Sequence, residues 1–394
     1  MKILVVLPRF PYPLDKGDKL RAYHQIVELS KRHDIYLFCV SHDKVSPEQR
    51  AALAPYCREI CVVRLRMPVC YTNVLRNWFA SKSLQMGYWN TNHSKRACRN
   101  FARRIQPDVV YNQMVRTMPL VARLPFPKVM DYQDALSLNT ERRMEQSRGL
   151  WHYILHFEFK MLRSSEYNAF SIFDALTIIS DTDSEAIPHK KNGEIHIIPN
   201  GVDTDYFNPD SKFIIHNSKF SLVFCGNMSY APNVNAARYL VEEVMPIVWR
   251  HCPEATVLLA GADPKPAVRK LASAKVSVTG RLADIREAYA AAQLFVAPMR
   301  IGSGLQNKLL EAMAMQKPCV TTGIANAALD ATPGRQLLIG DDPETLASHI
   351  LSLLNDADLR KRIADEGYRF VQERYSWAAA VEPLETLFNE LVAK

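Results

Sequence analysis

The sequence predicts an α/β protein built from two doubly wound parallel-sheet domains that face each other across a cleft. Three observations carry this reading. The chain has 394 residues, too many for one core of ordinary size. Short apolar runs recur along it with helical stretches between them, as in parallel sheets covered on both faces. A segment rich in turn residues, NGVDTDYFNPDSKFIIHNSK at 200–219, divides those runs evenly.

In the first half the runs are ILVVL (3–7), DIYLFCV (34–40), DVVY (108–111), KVMD (128–131), ALTIIS (175–180) and EIHIIP (194–199). In the second half they are FSLVFC (220–225), ATVLLA (255–260), KVSVTG (275–280), LFVAP (294–298), PCVTT (318–322) and QLLI (336–339). Twelve strands overfill one compact sheet, so they are expected in two, with a hinge near 200–218. The domains expected are 1–200 and 201–375. Residues 376–394 form an amphipathic terminal helix that packs on its own domain or crosses back to the first. In open parallel sheets ligands bind beyond the carboxyl ends of the strands, which places a site in the cleft.

Composition narrows the function. Apolar residues make up 48% and charged residues 23%, an ordinary globular balance. No apolar run approaches the about 18 residues of a membrane span, and MKILVVLPRFPYPLDKGDK reads as a buried first strand rather than a signal peptide. Eight cysteines without a C-x-x-C pair point to free thiols in a reducing cytoplasm, and no metal is expected. Cys57 and Cys61 share a helix face without a histidine at ligand spacing. His152 and His156, at i,i+4, read as part of an aromatic helix face. The net charge of +8 is uneven: residues 1–200 hold 29 basic against 19 acidic side chains, and residues 43–130 hold 15 against 4. Such a surface attracts polyanions, unless it is simply a solvated basic face.

The chemistry concentrates in strand-to-helix turns. In IGSGLQNKLLEAMAMQKPCV (301–320) a glycine loop leads into a helix beginning near Leu305. Glycines let backbone approach a ligand, and the amides of a helix start favour anions. Lys308 adds a point charge suited to phosphate, and Glu311, three residues on, shares its face. A carboxylate there is well placed to accept hydrogen bonds from a ribose diol. The plainer alternative is a surface i,i+3 ion pair. A second glycine turn, at Gly226 in FCGNMSYAPNVNAARYL (224–240), brings backbone amides to a strand end, or is an ordinary turn. A third lies at Gly17 in LPRFPYPLDKGDKLRAYHQIVELS (7–30). Neither G-x-G-x-x-G nor G-x-x-x-x-G-K-[ST] occurs, which removes support for ordinary dinucleotide and P-loop ATP binding.

Four strings together resemble GT-B glycosyltransferases of family 4. IIPNGVDTDYFNP (197–209) resembles their inter-domain segment, and FVAPMRIGSGLQNKLLEAMAMQKPCVTT (295–322) their nucleotide-sugar segment, in the form G-x-G-x-x-x-K-x-x-E-A-M-A. FCGNMSYAPNVNAARYL resembles the donor-side glycine loop, and KILVVLPRFPYPLDKGDKLR the amino-terminal acceptor-side loop. The nearest likeness is to sugar transferases of bacterial exopolysaccharide systems. The resemblance implies a GT-B fold and a retaining, metal-independent transfer from a nucleotide-sugar co-substrate, without another cofactor. It implies that Glu311 binds the ribose and that Lys308 and the Gly302, Ser303, Gly304 and Leu305 loop bind the diphosphate. Gly226 and Asn227 face the same phosphates, and Gly17 closes from the other domain.

Two departures stand out. The family pattern places a first glutamate eight positions before the second, but position 303 is serine. Many members carry an arginine and a lysine near the donor loop, where Asn227 and Asn233 stand here, leaving Arg300 or Arg281 to help Lys308. On the acceptor side Gln133 stands where members often have a histidine, between Asp131 and Asp134. Either aspartate is a candidate for a sugar hydroxyl or a catalytic contact, the alternative being a turn or cap. The expected acceptor is a saccharide or a lipid-linked saccharide. RLRMPVCYTNVLRNWFASK (64–82) mixes cations with aromatics in the manner of an anionic membrane surface. The rival functions are a non-catalytic sugar-nucleotide-binding partner, or a nucleotide-sugar epimerase or phosphorylase-like protein on the same fold. Nucleic acid is not expected, because the aromatic–glycine motifs of RNA binders are absent.

Overall fold

The computed structural model describes residues 1–145, 147–209, 219–301 and 304–393. It divides into two compact units, Met1–Pro199 with Ala380–Lys394, and Asn200–Ala379. Residues 210–218 of the expected hinge and the loop positions Gly302 and Ser303 lie outside the described residues.

In the first unit seven strands pair in parallel: β1 (Lys2–Leu7), β2 (Asp34–Ser41), β3 (Glu59–Arg64), β4 (Val109–Gln113), β5 (Lys128–Asp131), β6 (Ala175–Ile178) and β7 (His196–Ile197). Their order is β3-β2-β1-β4-β5-β6-β7. The central strand β1 is buried from Ile3 to Leu7, because helices cover both faces. Ile3 sits opposite Ile35 of β2 and Val109 of β4. β3 is the strand absent from the sequence reading. It lies at the sheet edge, is largely half-buried, and ends in the exposed Arg64, so its apolar signal is diluted by charge.

The second unit holds β8 (Phe220–Cys225), β9 (Val257–Ala260), β10 (Val276–Val278), β11 (Ala292–Ala297), β12 (Cys319–Thr321) and β13 (Leu338–Ile339). Its order is β10-β9-β8-β11-β12-β13, again all parallel. In each sheet the winding reverses once, between β1 and β4 and between β8 and β11. Those switch points open crevices at the carboxyl ends of the strands.

The terminal helix spans Trp377–Ala393. Its part from Ala380 belongs to the first unit. There Phe388 is buried with its ring centroid 5.4 Å from that of Tyr111, and Arg32 Nε donates to Glu385 Oε1 at 2.8 Å. Among the described residues no helix is long and apolar enough to cross a membrane.

Candidate active site

In the second unit the switch point is built from two strand-to-helix turns. β11 runs into the loop that precedes the helix Asn307–Ala314. That helix starts at Gln306 without a side-chain cap; the Leu309 amide donates to the Gln306 carbonyl at 2.8 Å, and among the described residues the Asn307 and Lys308 amides have no partner. Lys308 Nζ donates to Gln306 Oε1 at 2.9 Å and lies 5.8 Å from the centroid of the Phe224 ring of β8. Burial against this wall pulls its pKa down to about 8, with Glu311 opposing the shift.

Glu311 lies one turn on from Lys308 and is half-buried, in a helix whose Leu309, Leu310, Ala312 and Met313 are buried. Its Oε2 accepts a hydrogen bond from the fully buried Tyr289 hydroxyl at 2.7 Å. Burial raises the Glu311 pKa to about 7, against the lowering effects of Tyr289 and Lys308. Desolvation therefore dominates both groups, which distinguishes the pair from an exposed surface ion pair. Tyr289 comes from the short helix Arg286–Ala290 that precedes β11, and the sequence reading did not include it.

The turn after β8 is closed rather than open. The Gly226 amide donates to the Ala260 carbonyl at 3.0 Å, and a Cβ on Gly226 would come within 2.7 Å of Asn233 Nδ2. Gly261, at φ +142°, brings its Cα against the Gly226 carbonyl so closely that a Cβ would lie 1.8 Å from that oxygen. The expected contact of the Gly226 amide with phosphate is thereby corrected: the glycine serves close packing, and its N–H is already used. Asn227 Oδ1 accepts from the Ser229 amide at 2.9 Å, and Asn233 Nδ2 donates to the Asn227 carbonyl at 2.9 Å. Both asparagines hold the turn.

The two expected cationic helpers stand apart from Lys308. Arg300 Nη1 lies 3.2 Å from Glu243 Oε1, and its guanidinium covers the Tyr239 ring at 4.1 Å. It is turned toward the helical segment after β8. Arg281 is exposed beyond β10, the edge strand two places from β8. Gly304 is exposed and its carbonyl accepts from Gln306 Nε2 at 2.7 Å, while Leu305 packs on the second-unit core.

In the first unit the two candidate aspartates have different environments. Asp131 is fully buried at the end of β5. Arg21 Nε donates to its Oδ2 at 2.7 Å, and Arg21 Nη2 and the Gln133 amide donate to its Oδ1 at 3.3 and 3.2 Å. Tyr111 and Thr177 hydroxyls add contacts at 2.9 and 3.2 Å. With both oxygens engaged, Asp131 has no open face toward a sugar. The expectation of a sugar or catalytic contact from Asp131 is thereby corrected: its carboxylate is fully buried and spent on Arg21 and its neighbours. Gln133, at φ +63°, extends this network through its Nε2 to Gln113 Oε1 at 3.2 Å.

Asp134 is half-buried, and among the described residues its carboxylate has no hydrogen-bond partner. Burial first, then Asp183 and Asp131, raise its pKa to about 6. Arg116, three residues past β4, keeps its Nε buried without a partner; burial first, and then Arg9, lower its pKa. Arg9, two residues past β1, pairs with Asp18 at 3.0 Å and lies 5.9 Å from the Trp89 ring centroid. His42, one residue past β2, sits 5.0 Å from that ring with both nitrogens unpartnered. Arg9, His42 and Arg116 escaped the sequence reading, although each directly follows an apolar strand run. Gly17 opens the helix Gly17–Ser30, exposed, with open space at its Cα.

The switch point of the second unit thus brings together a lysine, a half-buried carboxylate and an uncapped helix start, groups that can pair with an anion and accept from hydroxyls. Family models match both units: Glycosyltransferase Family 4 over residues 20–206 and Glycosyl transferases group 1 over residues 219–356. A Klebsiella pneumoniae protein described as an uncharacterized 44.6 kDa protein in the cps region is 23% identical over 95% of this chain and 96% of its own length. The Staphylococcus aureus capsular polysaccharide biosynthesis glycosyltransferase CapM is 31% identical over 22% of this chain and 23% of its own. Among solved structures, Anabaena Alr3699/HepE in complex with UDP-glucose superposes with a TM-score of 0.67 at 15% identity, over 99% of this chain and 100% of that one. The fold is that of the GT-B glycosyltransferases. More narrowly, the chain belongs to glycosyltransferase family 4.

Proposed function

We propose that the protein is a retaining, metal-independent glycosyltransferase that moves a sugar from a nucleotide-sugar donor to a saccharide or lipid-linked saccharide in bacterial polysaccharide biosynthesis. The observation that carries this reading is the Tyr289–Glu311–Lys308 constellation beside an uncapped helix start. Glu311 accepts the hydrogen bonds of the ribose diol. Lys308 and the first-turn amides hold the diphosphate, stabilising the charge that develops as the bond from the sugar C1 to the phosphate oxygen breaks. The acceptor oxygen takes that place on C1 and its proton passes to the departing diphosphate oxygen, while Asp134 accepts a hydrogen bond from the acceptor. The relatives named for the cps region and for capsular polysaccharide support the pathway class, and the UDP-glucose complex of Alr3699/HepE supports a UDP-type donor.

The acceptor half carries features suited to a membrane-borne substrate at the cytoplasmic face. On the helix Met67–Phe79, Tyr71, Leu75 and Phe79 are exposed at 59, 59 and 80%. On the helix Leu150–Ala169, Leu150 and Trp151 are exposed at 75 and 68%. Trp78 and Phe157 join the two helices, with ring centroids 4.6 Å apart. Exposed aromatics beside Arg64, Arg66 and Arg76 suit an anionic leaflet.

A panel of UDP, GDP, ADP, CMP and dTDP sugars, read by thermal shift on wild type and Glu311→Ala, tests the donor site. A shift with one nucleotide class that vanishes in the variant supports it. An equal shift in both proteins removes Glu311 from the site. Ser303 in place of the family's first glutamate favours one second reading, a sugar-nucleotide-binding partner without activity of its own. Donor hydrolysis to free sugar in the absence of acceptor decides against that reading.

A further inference from the structure

The first unit contains a second site whose chemistry the donor and acceptor clusters do not use. A cavity of about 580 Å³ lies among the helices Met67–Phe79, Leu84–Trp89, Asn92–Ile105 and Leu150–Ala169. Arg76, Lys82 and Lys95 line it, and no aspartate or glutamate does. Among the described residues none of these three side chains has a hydrogen-bond or ion-pair partner. The carboxylate of Glu158, from the helix Leu150–Ala169, is buried and committed to the wall, accepting from Ser83 Oγ at 2.6 Å and from the Leu84 amide at 2.7 Å.

Three like charges at one concavity repel one another, and a half-buried lysine among them loses hydration as well. Lys95 responds as expected: burial first, then Lys82, Arg123 and Arg76, lower its pKa. Such an arrangement costs stability unless an anion completes it. The remaining wall is rich in neutral polar groups, Asn92, Ser164, Ser165 and Asn168 among them. A carboxylate-sized ion leaves most of this volume empty. A phosphate ester or a diphosphate matches a cavity lined by three cations, Arg76 and Lys82 at its exposed side and Lys95 half-buried, together with amide and hydroxyl groups.

We propose that this cavity is a phosphate-binding site, taking a phosphomonoester or diphosphate group, distinct from the donor diphosphate site at Lys308. The source is constrained by the helix Met67–Phe79. Asn73, Arg76, Asn77 and the following Ala80 face the cavity, while Tyr71, Leu75 and Phe79 form the adjacent exposed stripe. A phosphate carried at a membrane surface would reach the cavity with the aromatic stripe in the interface. A free phosphate compound would reach it without one.

The test uses the full chain, the cavity variant Arg76→Gln/Lys82→Gln/Lys95→Gln, and a charge-matched control, Arg96→Gln/Arg99→Gln/Arg103→Gln, on the exposed face of the helix Asn92–Ile105. Pyrophosphate binding is measured by calorimetry at fixed ionic strength. Sedimentation is measured with phosphatidylcholine vesicles containing either phosphatidic acid, a phosphomonoester, or phosphatidylglycerol, a phosphodiester, at matched surface charge. The cavity variant should lose at least about tenfold in affinity, since charge-assisted contacts are removed, while the control matches wild type. Loss of soluble pyrophosphate binding supports a free phosphate ligand. Selective loss of phosphatidic acid vesicles supports a lipid headgroup. Equal behaviour of the two variants, or no binding by wild type to any probe, overturns the proposal. The cavity variant should melt at the wild-type temperature or above it, because it removes repulsion, and that separates lost binding from unfolding. Donor binding by Lys308 and Glu311 is read independently by the nucleotide panel.

Discussion

The Tyr289 hydroxyl donates to Glu311 Oε2 at 2.7 Å, and this bond holds a half-buried carboxylate in one orientation on the helix Asn307–Ala314. The same oxygen lies 3.4 Å from the Lys308 carbonyl oxygen in the first turn of the helix, a longer contact that shares the hydroxyl's single proton. The Tyr289 ring is fully buried between Phe207 and Phe295, so the hydroxyl has little freedom.

Replacing Tyr289 by Phe keeps the packing and removes one hydrogen bond to a charged acceptor. Because that bond lowers the Glu311 pKa, the variant's carboxyl should titrate higher than about 7. Nucleotide affinity at neutral pH should fall by about 10- to 150-fold, the value of about 1.5–3 kcal/mol for a bond to a charged acceptor. Calorimetric titration across pH checks both parts: the acid limb of affinity moves to higher pH. An unchanged limb would separate Tyr289 from the ribose contact.

The pair also sets a pH window for wild type. Glu311 must be ionised to accept from a diol, and its pKa is raised to about 7, so affinity is lost as pH falls through that value. Lys308 must be charged to hold a diphosphate, and its pKa is lowered to about 8, so affinity is lost as pH rises through that value. Binding should peak between about 7 and about 8. Above the peak, complex formation should take up a proton, visible as a buffer-dependent heat. A flat profile from pH 6 to 9, a range of roughly one unit beyond each of the two values, would remove this pair from binding.

The same shift makes Glu311 expensive to the fold. A carboxyl whose native pKa lies above its unfolded value destabilises the native state progressively as pH rises from the unfolded to the native pKa. Glu311→Gln should therefore melt higher than wild type at pH 8 and show little difference at acid pH, while losing nucleotide binding. Differential scanning calorimetry at the two pH values checks the sign. A lower melting temperature at pH 8 would make Glu311 a structural residue.

Much of this site was legible in the sequence, and the missing parts share a cause. The strands were visible because β1 and its neighbours are apolar on both faces; β3 escaped because an edge strand carries charge. Lys308 and Glu311 were visible because their one-turn spacing is local. Tyr289 lies 22 residues before Glu311, on a different element, and no periodicity relates them. Asp131 read as a catalytic candidate because its strand-end position is local, whereas the residue that neutralises it, Arg21, is 110 positions away. The Gly226 turn looked open because glycine permits ligand approach, yet the backbone that approaches is Gly261.

Asp131 and Arg21 form a buried ion pair, and breaking one partner leaves an uncompensated charge. Asp131→Asn should destabilise the protein by about 3–5 kcal/mol, and the double variant Arg21→Met/Asp131→Leu should recover much of that. Denaturant midpoints check this. An Asp131→Asn protein of wild-type stability that lacked turnover would restore the catalytic role.

Asp134 is the opposite case. Its carboxylate has no hydrogen-bond partner among the described residues, and its pKa is raised to about 6 by burial and by Asp183 and Asp131. Asp134→Asn removes that strain, so the melting temperature should stay the same or rise at neutral pH. If Asp134 holds the acceptor hydroxyl, the variant should keep donor binding and donor hydrolysis while transfer to acceptor falls by about 10²-fold, the lower range for a positioned acid–base group. The wild-type transfer rate should fall as pH drops through about 6, and this limb should be absent in the residual activity of the variant. Equal loss of hydrolysis and transfer would place Asp134 in donor chemistry instead. Unchanged transfer would leave the acceptor to Arg9, His42 and Arg116 beyond β1, β2 and β4, of which Arg9 is paired with Asp18.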